Sequence, residues 1–153
     1  MADFDEAIGA VLENEGSALS DDPNDPGGLS RYGISQRTYP TIDIRGLTED
    51  GAKILYKKDF WRYDGILNQA VATKLFDAAV NMGHAAIKIM QLLVGADDDG
   101  IYGPGTEKLI NQADPAHLIS QFRIALVQHY IAIAEANPDE AKFLKGWLRR
   151  ARQ

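Results

Sequence analysis

Glu15 is the first residue of this chain whose type and place together could do chemistry. Phe4, Ile8, Val11 and Leu12 recur at helical spacing and, at about 100° per residue, cover an arc of about 100°. Glu15 falls inside that arc, four residues after Val11 and seven after Ile8, whereas Glu13 points to the opposite side. A carboxyl that continues an apolar stripe must be desolvated or paired. Desolvation favours the neutral form from which a general acid donates. A structural salt bridge to a core arginine accounts for the pattern at least as well.

Asp21, Asp22 and Asp25 follow six to ten residues later, in a loop that could fold back towards the helix end. Glycoside hydrolysis needs one protonated carboxyl to help the leaving oxygen and one ionised carboxylate nearby. A glutamate at a helix end and an aspartate in the next loop could supply that pair. For any single aspartate here, turn formation is the simpler role.

Other chemistries find less support. Asp97-Asp98-Asp99-Gly100 resembles a calcium loop, but in that register positions one and twelve are Gly95 and Thr106, which lack the required carboxylates. His84, His117 and His129 have no zinc spacing, and with no cysteine and no G-x-S-x-G there is no thiolate or serine nucleophile in view. Among the aromatics that could stack on sugar faces, Tyr32 and Tyr102 stand out because both lie in Gly-rich loops.

The elements that must position these groups are helices. Asp3 and Glu6 make a capping box ahead of the first stripe, and that helix should stop near Gly16. Residues 17–36, dense in Asp, Pro, Gly and Ser, read as loop, with a small hairpin turning at Gly27-Gly28 and Ile34 facing inward. Thr48 starts a helix to about Trp61. Further helices are expected over 69–81 and 84–94, from Pro104, and from Asp114-Pro115 to about Ala136. Asn137 with Glu140 repeats the capping box for a last helix through Trp147. The fold class is mainly α, with six or seven helices and at most one small β-hairpin.

At 153 residues and 45% hydrophobic composition, the chain fits one globule with its own core. No apolar run is long enough to span a bilayer. The N-terminus carries acids where a secretory signal would carry Lys or Arg, so action on a wall would require another exit route. The net charge of −6 is uneven: residues 141–153 hold five cations and no acid. The remaining body, with 11 cations against 22 acids, argues against nucleic acid as a partner. The basic end either complements a terminal helix dipole or attracts an anionic wall or membrane.

Several motifs then converge. Glu15-Gly16-Ser17 followed by Asp22-Pro23-Asn24-Asp25-Pro26-Gly27-Gly28-Leu29-Ser30-Arg31-Tyr32-Gly33-Ile34-Ser35 closely resembles the signature of glycoside hydrolase family 108. Ser17 replaces a family glycine and Ser30 a family threonine. Phe76-Asp77-Ala78-Ala79-Val80-Asn81-Met82-Gly83 is similar to the stretch ending that family's catalytic region. Met90-Gln91-Leu92-Leu93, Asp99-Gly100-Ile101-Tyr102-Gly103-Pro104-Gly105-Thr106 and Lys145-Gly146-Trp147-Leu148-Arg149-Arg150 resemble the peptidoglycan-binding region usually fused to it.

The resemblance implies a lysozyme-like helical fold, with residues 1–86 catalytic and 87–153 peptidoglycan-binding, packed as one globule. It implies an N-acetylmuramidase of phage type, working without metal or cofactor, with Glu15 as catalytic acid. Spacing similar to that of the phage-T4-type lysozymes makes Asp25 the base and Ser30 the water-positioning hydroxyl. Asp22, Tyr32 and Tyr102 are expected on substrate, and Asp77 and Asn81 either line the cleft or form a structural pair. The expected setting is a monomer made in the host cytoplasm, released by a holin and acting on peptidoglycan. A lytic transglycosylase using the same Glu15, or a non-catalytic wall-binding module, are the competing readings.

Overall fold

The computed structural model describes residues 1–153 as a helical globule with one two-stranded sheet. Helix α1 spans Phe4–Glu15; strands β1 (Ser30–Arg31) and β2 (Ile34–Ser35) follow; then come α2 (Glu49–Asp59), α3 (Gln69–Met82), α4 (His84–Val94), α5 (Pro104–Gln112), α6 (Pro115–Ala136), a 3₁₀ segment (Pro138–Phe143) and α7 (Leu144–Arg152). The mainly α class and the single hairpin agree with the sequence.

Capping side chains fix where four of the helices start. Asp3, Thr48, Asn68 and Asp114 each accept a first-turn backbone N–H of α1, α2, α3 and α6. The Asp3 box is shared differently from the sequence expectation: Gln69 of α3, rather than Glu6, takes the Asp3 N–H at 2.7 Å, tying α1 to α3.

Two local expectations need correction. The hairpin turns at Tyr32-Gly33, with Ser30 opposite Ser35 and Arg31 opposite Ile34, so Gly27-Gly28 lies outside it. Tyr32 at φ 53 and Gly33 at φ 77 supply the two left-handed residues that match a tight turn to strand twist. The Gly27 N–H is instead taken by Asp25 Oδ1 at 2.8 Å. The second correction concerns Asn137, whose side chain caps nothing downstream and donates to Ile133 O at 3.1 Å. The backbone there enters a 3₁₀ turn, which closes its own bonds three residues apart and leaves no box to fill.

The core holding these pieces is aromatic at one end. Phe4, Trp61 and Phe76 pack edge-on or tilted with centroids 5.2–6.1 Å apart, joined by Tyr56 and Tyr63. α1 lies along α3, and α6 carries α3, α4 and α7. α7 presses Leu144, Trp147, Leu148 and Ala151 inward, with Trp147 stacked on Tyr130 at 5.2 Å. Burial of that face sets where α7's remaining side chains point.

Candidate active site

The stripe on α1 delivers Glu15 to the helix's last position. Gly16 ends the helix at φ 76, a left-handed geometry that costs glycine little, and returns its N–H to Leu12 O at 2.9 Å. The Glu15 side chain keeps 23% of its surface exposed, so it is neither sealed nor free. Arg150 Nη1 donates to Glu15 Oε1 at 3.0 Å.

Arg150 does more than pair Glu15. Its Nε and Nη2 donate to both oxygens of Asp77 on α3, at 3.0 and 2.8 Å, a two-pronged geometry that only a guanidinium provides. Asn14 Nδ2 adds a third donor to Asp77 at 3.2 Å. Burial works against charge on Arg150, but the hydrogen bonds and charge of Asp77, then of Glu15, outweigh it and raise its pKa further. From α3, Lys74 Nζ donates to Arg150 O and Ala151 O at 2.9 and 2.8 Å, anchoring the end of α7. The core-arginine partner that the stripe on α1 allowed therefore exists, and it comes from the basic C-terminal segment.

The opposite wall is the hairpin turn. A Cβ on Gly33 would fall 2.3 Å from Tyr56 Oη and 2.8 Å from Glu15 Cγ, so the turn approaches Glu15 as closely as a backbone can. Tyr56 of α2 donates its hydroxyl to Tyr32 O at 2.8 Å. Burial, then the Glu15 charge, pushes the Tyr56 phenol well above its usual range, which keeps it a neutral donor. A depression of about 430 Å³ opens beside α1, lined by Leu12, Gly16, Ser17 and Tyr32 with Glu49 and Lys53 of α2.

A partly exposed carboxyl at a helix end, flanked by a glycine turn and an arginine fork, sits in a chain whose comparisons with known proteins agree. Residues 8–83 match the model of glycosyl hydrolase 108. The chain belongs to the glycosyl hydrolase 108 family. Residues 85–152 match a second model, a predicted peptidoglycan domain. Among solved structures the chain resembles SagA of Brucella abortus, with a TM-score of 0.79 and 26% identity, over 97% of this chain and 88% of that one. No curated protein matches it. The protein is a glycoside hydrolase, and its two family regions make peptidoglycan its substrate.

The remaining candidates fall into two groups. Tyr32 lies with Glu15 at the hairpin: its carbonyl holds Tyr56, its ring lines the depression and carries Arg31 at 5.4 Å. Ser30 begins β1 three residues before Gly33, its backbone paired in both directions with Ser20. Asp22 and Asp25 are exposed, each accepting an N–H two residues ahead, from Asn24 and Gly27, both at 2.8 Å. Asp77 meets Glu15 through Arg150.

Asn81 and Tyr102 have other partners. Asn81 hydrogen-bonds the Tyr130 hydroxyl of α6, and Tyr102 donates to Glu107 Oε2 at 2.8 Å with its ring against Tyr63. None of those partners touches Glu15 among the hydrogen bonds formed. Arg150, Gly33 and Tyr56 are the site residues the sequence reading left out. For Arg150 a signal existed: it lies three residues after the buried-face Trp147, the same kind of placement that singled out Glu15.

Proposed function

We propose that this hydrolase is an N-acetylmuramidase of the phage-endolysin kind, cleaving the β-1,4 bond between N-acetylmuramic acid and N-acetylglucosamine. The observation that carries the reading is the placement of Glu15, a partly exposed carboxyl at a helix end against the Gly33 turn, on the residue that the motif resemblance makes the catalytic glutamate. Glu15 protonates the leaving glycosidic oxygen. An ion pair and a general acid make opposite demands on one carboxyl, and the fork of Arg150 reconciles them. When Glu15 takes up a proton or turns to a sugar, Arg150 keeps both bonds to Asp77, so no buried charge is left alone.

Asp25 serves as the loop carboxylate that activates water or steadies the oxocarbenium-like centre, with Ser30 placing the water. Asp22 and Tyr32 contact the glycan from the same loop. Asp77 acts through Arg150, while Asn81 and Tyr102 are held by Tyr130 and Glu107 away from Glu15. Release follows the family's phage setting: lysis starts when a holin opens the inner membrane to a monomeric enzyme made in the cytoplasm.

Glu15→Gln tests the central claim. Clearing of permeabilised Gram-negative cells should fall by about 10²–10⁴-fold, with circular dichroism and melting unchanged. Glu13→Gln, an exposed carboxyl on the rim of the same depression but with no bond to Arg150, should keep most of the activity. Near wild-type clearing by folded Glu15→Gln would overturn the assignment.

One observation favours a second reading. Asp25 already accepts the Gly27 N–H, as an Asx-turn residue does, and a lytic transglycosylase needs no catalytic aspartate. Asp25→Asn separates the two. For a hydrolase with Asp25 as base, activity falls far more than in Asp22→Asn and wild-type products carry reducing muramic ends. An active Asp25→Asn with 1,6-anhydro products makes the enzyme a transglycosylase.

A further inference from the structure

α7 has a second polar face that the Glu15 site does not use. Lys145, Arg149 and Arg152 are all exposed and, at about 100° per residue, fall within an arc of about 60°. Lys142 precedes them, also exposed, with its ammonium over the Phe143 ring at 5.1 Å. Although the chain holds 22 acids, none lies within salt-bridge distance of these four cations; the ion pairs formed involve Arg45, Lys53 and Arg150. Lys145, Gly146, Arg149, Arg152 and Gln153 enclose an open depression of about 580 Å³ with no hydrophobic side chain in its lining. Gly146 leaves its floor clear, since a Cβ there would meet nothing within 4 Å.

Three properties select the occupant. It is anionic, because the charged side chains offered are all cations, beside Gly146 and the neutral amide of Gln153. It is not a bilayer: a membrane-seeking helix needs a free apolar face, and α7 spends Leu144, Trp147, Leu148 and Ala151 on the core. It lies near the scissile bond, because Arg150 on the same helix reaches Glu15, and a helix is only about 10–12 Å across. A glycan strand passing Glu15 carries peptide stems on its muramic residues, and each stem ends in free carboxylates.

We propose that Lys145, Arg149 and Arg152, flanked by Lys142, form a binding site for the carboxylates of peptidoglycan stem peptides. The proposal rests on the reading that Glu15 works on the glycan strand. The guanidinium forks of Arg149 and Arg152 suit paired carboxylate oxygens, and Lys145 adds a mobile point charge. The site lets the second family region recognise uncut, peptide-bearing wall while Glu15 addresses the sugar.

The test compares the wild type with a Lys145→Gln/Arg149→Gln/Arg152→Gln variant by co-sedimentation. The two substrates are intact sacculi and amidase-stripped glycan strands, the latter fixed to beads so that they sediment and with the lactyl carboxylates left by amide hydrolysis blocked by amidation. The variant should bind intact sacculi about tenfold more weakly, the sum of three exposed charge pairs, and should lose the salt dependence of the wild type. Both proteins should bind and cut stripped strands equally. Equal loss on stripped strands and intact sacculi, or no loss on either, would overturn the proposal. So would stripe-dependent binding to phosphatidylglycerol vesicles with sacculus binding unchanged. Hydrolysis of stripped strands by the wild type reports separately on Glu15, so failure of the muramidase reading is distinguishable from failure of the carboxylate site.

Discussion

Residues 17–36 and residues 95–103 are alike in composition and opposite in how they are held. Both are rich in Asp and Gly and both read as loops. In the first, Asp22 and Asp25 satisfy N–H groups two residues ahead and stay exposed, and the longer bonds, from Arg31 to Ser17 O and Arg45 O and from Arg45 to Asp21, run across the surface. In the second, Gln91 reaches from α4, 1% exposed, and organises the whole loop. Its two amide N–H groups are shared among Asp99 Oδ1, Ile101 O and Thr106 Oγ1 at 2.9–3.0 Å, and its carbonyl oxygen accepts the Gly100 N–H at 2.9 Å. The Ile101 N–H, then Gln91, holds Asp99 below the usual carboxylate range. A loop pinned from its core side keeps one shape, while a loop whose Asp22–Gly28 tip is held mainly by its own turns can adjust that tip to a ligand, even with its hairpin end fixed by Tyr56. The chain places the adjustable loop next to Glu15 and the pinned one in the peptidoglycan domain.

The two regions are joined at Arg150, and breaking that joint should have the largest effect on stability. Arg150→Gln strips Asp77, whose side chain is 7% exposed, of its cation and leaves it only the Asn14 amide. Removing one partner of a buried pair costs about 3–5 kcal/mol, so the urea midpoint should drop sharply and activity with it. Arg149→Gln, one residue away on the exposed face, should change stability by no more than about 0.5 kcal/mol. Similar midpoints for the two variants would mean that α7 docks by its apolar face alone.

Between the loops themselves, the expected contrast is smaller but opposite in kind. Gln91→Leu leaves the buried Gly100 N–H unpaired and should cost about 1–3 kcal/mol, with faster amide exchange across 99–106. Asp25→Asn keeps an acceptor for the Gly27 N–H and should leave stability within about 0.5 kcal/mol of wild type. If both variants unfold at the wild-type midpoint, the pinned loop is no better held than the adjustable one.

Most of this arrangement could be read from residue order because it obeys periodicity. The stripe that placed Glu15, the caps at Asp3, Thr48 and Asp114, and the Gly-rich loop all act within one or two turns of chain. What escaped acts over distance or against preference. Arg150 meets Glu15 across 135 residues, and among five tail cations charge alone gave no reason to single it out. The hairpin turn was misplaced because Gly27-Gly28 is the better local turn sequence, whereas the real turn puts a tyrosine at positive φ. That conformation is sustained by Tyr56, a residue of another helix. Gln91 looked like any polar position on an apolar helix, since its four bonds go to residues that only the fold brings near.

Lys74 gives the finest test of how the two regions are tied, because it joins α3 to α7 by a charge that burial disfavours. Desolvation pushes its ammonium down to about 8, against the attraction of Asp77, from an ordinary value of 10.5. Below about pH 8, folded and unfolded chains both hold the proton, and the folded state bears the full cost of the buried charge. Between about 8 and 10.5 the unfolded chain keeps a proton that the folded chain has released, so this group makes stability rise with pH across that window. Above 10.5 both states are neutral and the cost is gone. Tyrosines of the core pull the other way at the top of the window: Tyr63 is raised to about 12 by burial, so the unfolded chain ionises there first. A difference measurement removes that background. The unfolding free energy of wild type minus that of Lys74→Met should therefore shift in the wild type's favour between pH 8 and 10, by urea titration at each pH. The Met side chain fills the same channel but carries no proton and caps neither Arg150 O nor Ala151 O. A difference that stays flat from pH 7 to 10 would mean that Lys74 keeps an ordinary ammonium and that α7 is anchored by Arg150 and its apolar face without it.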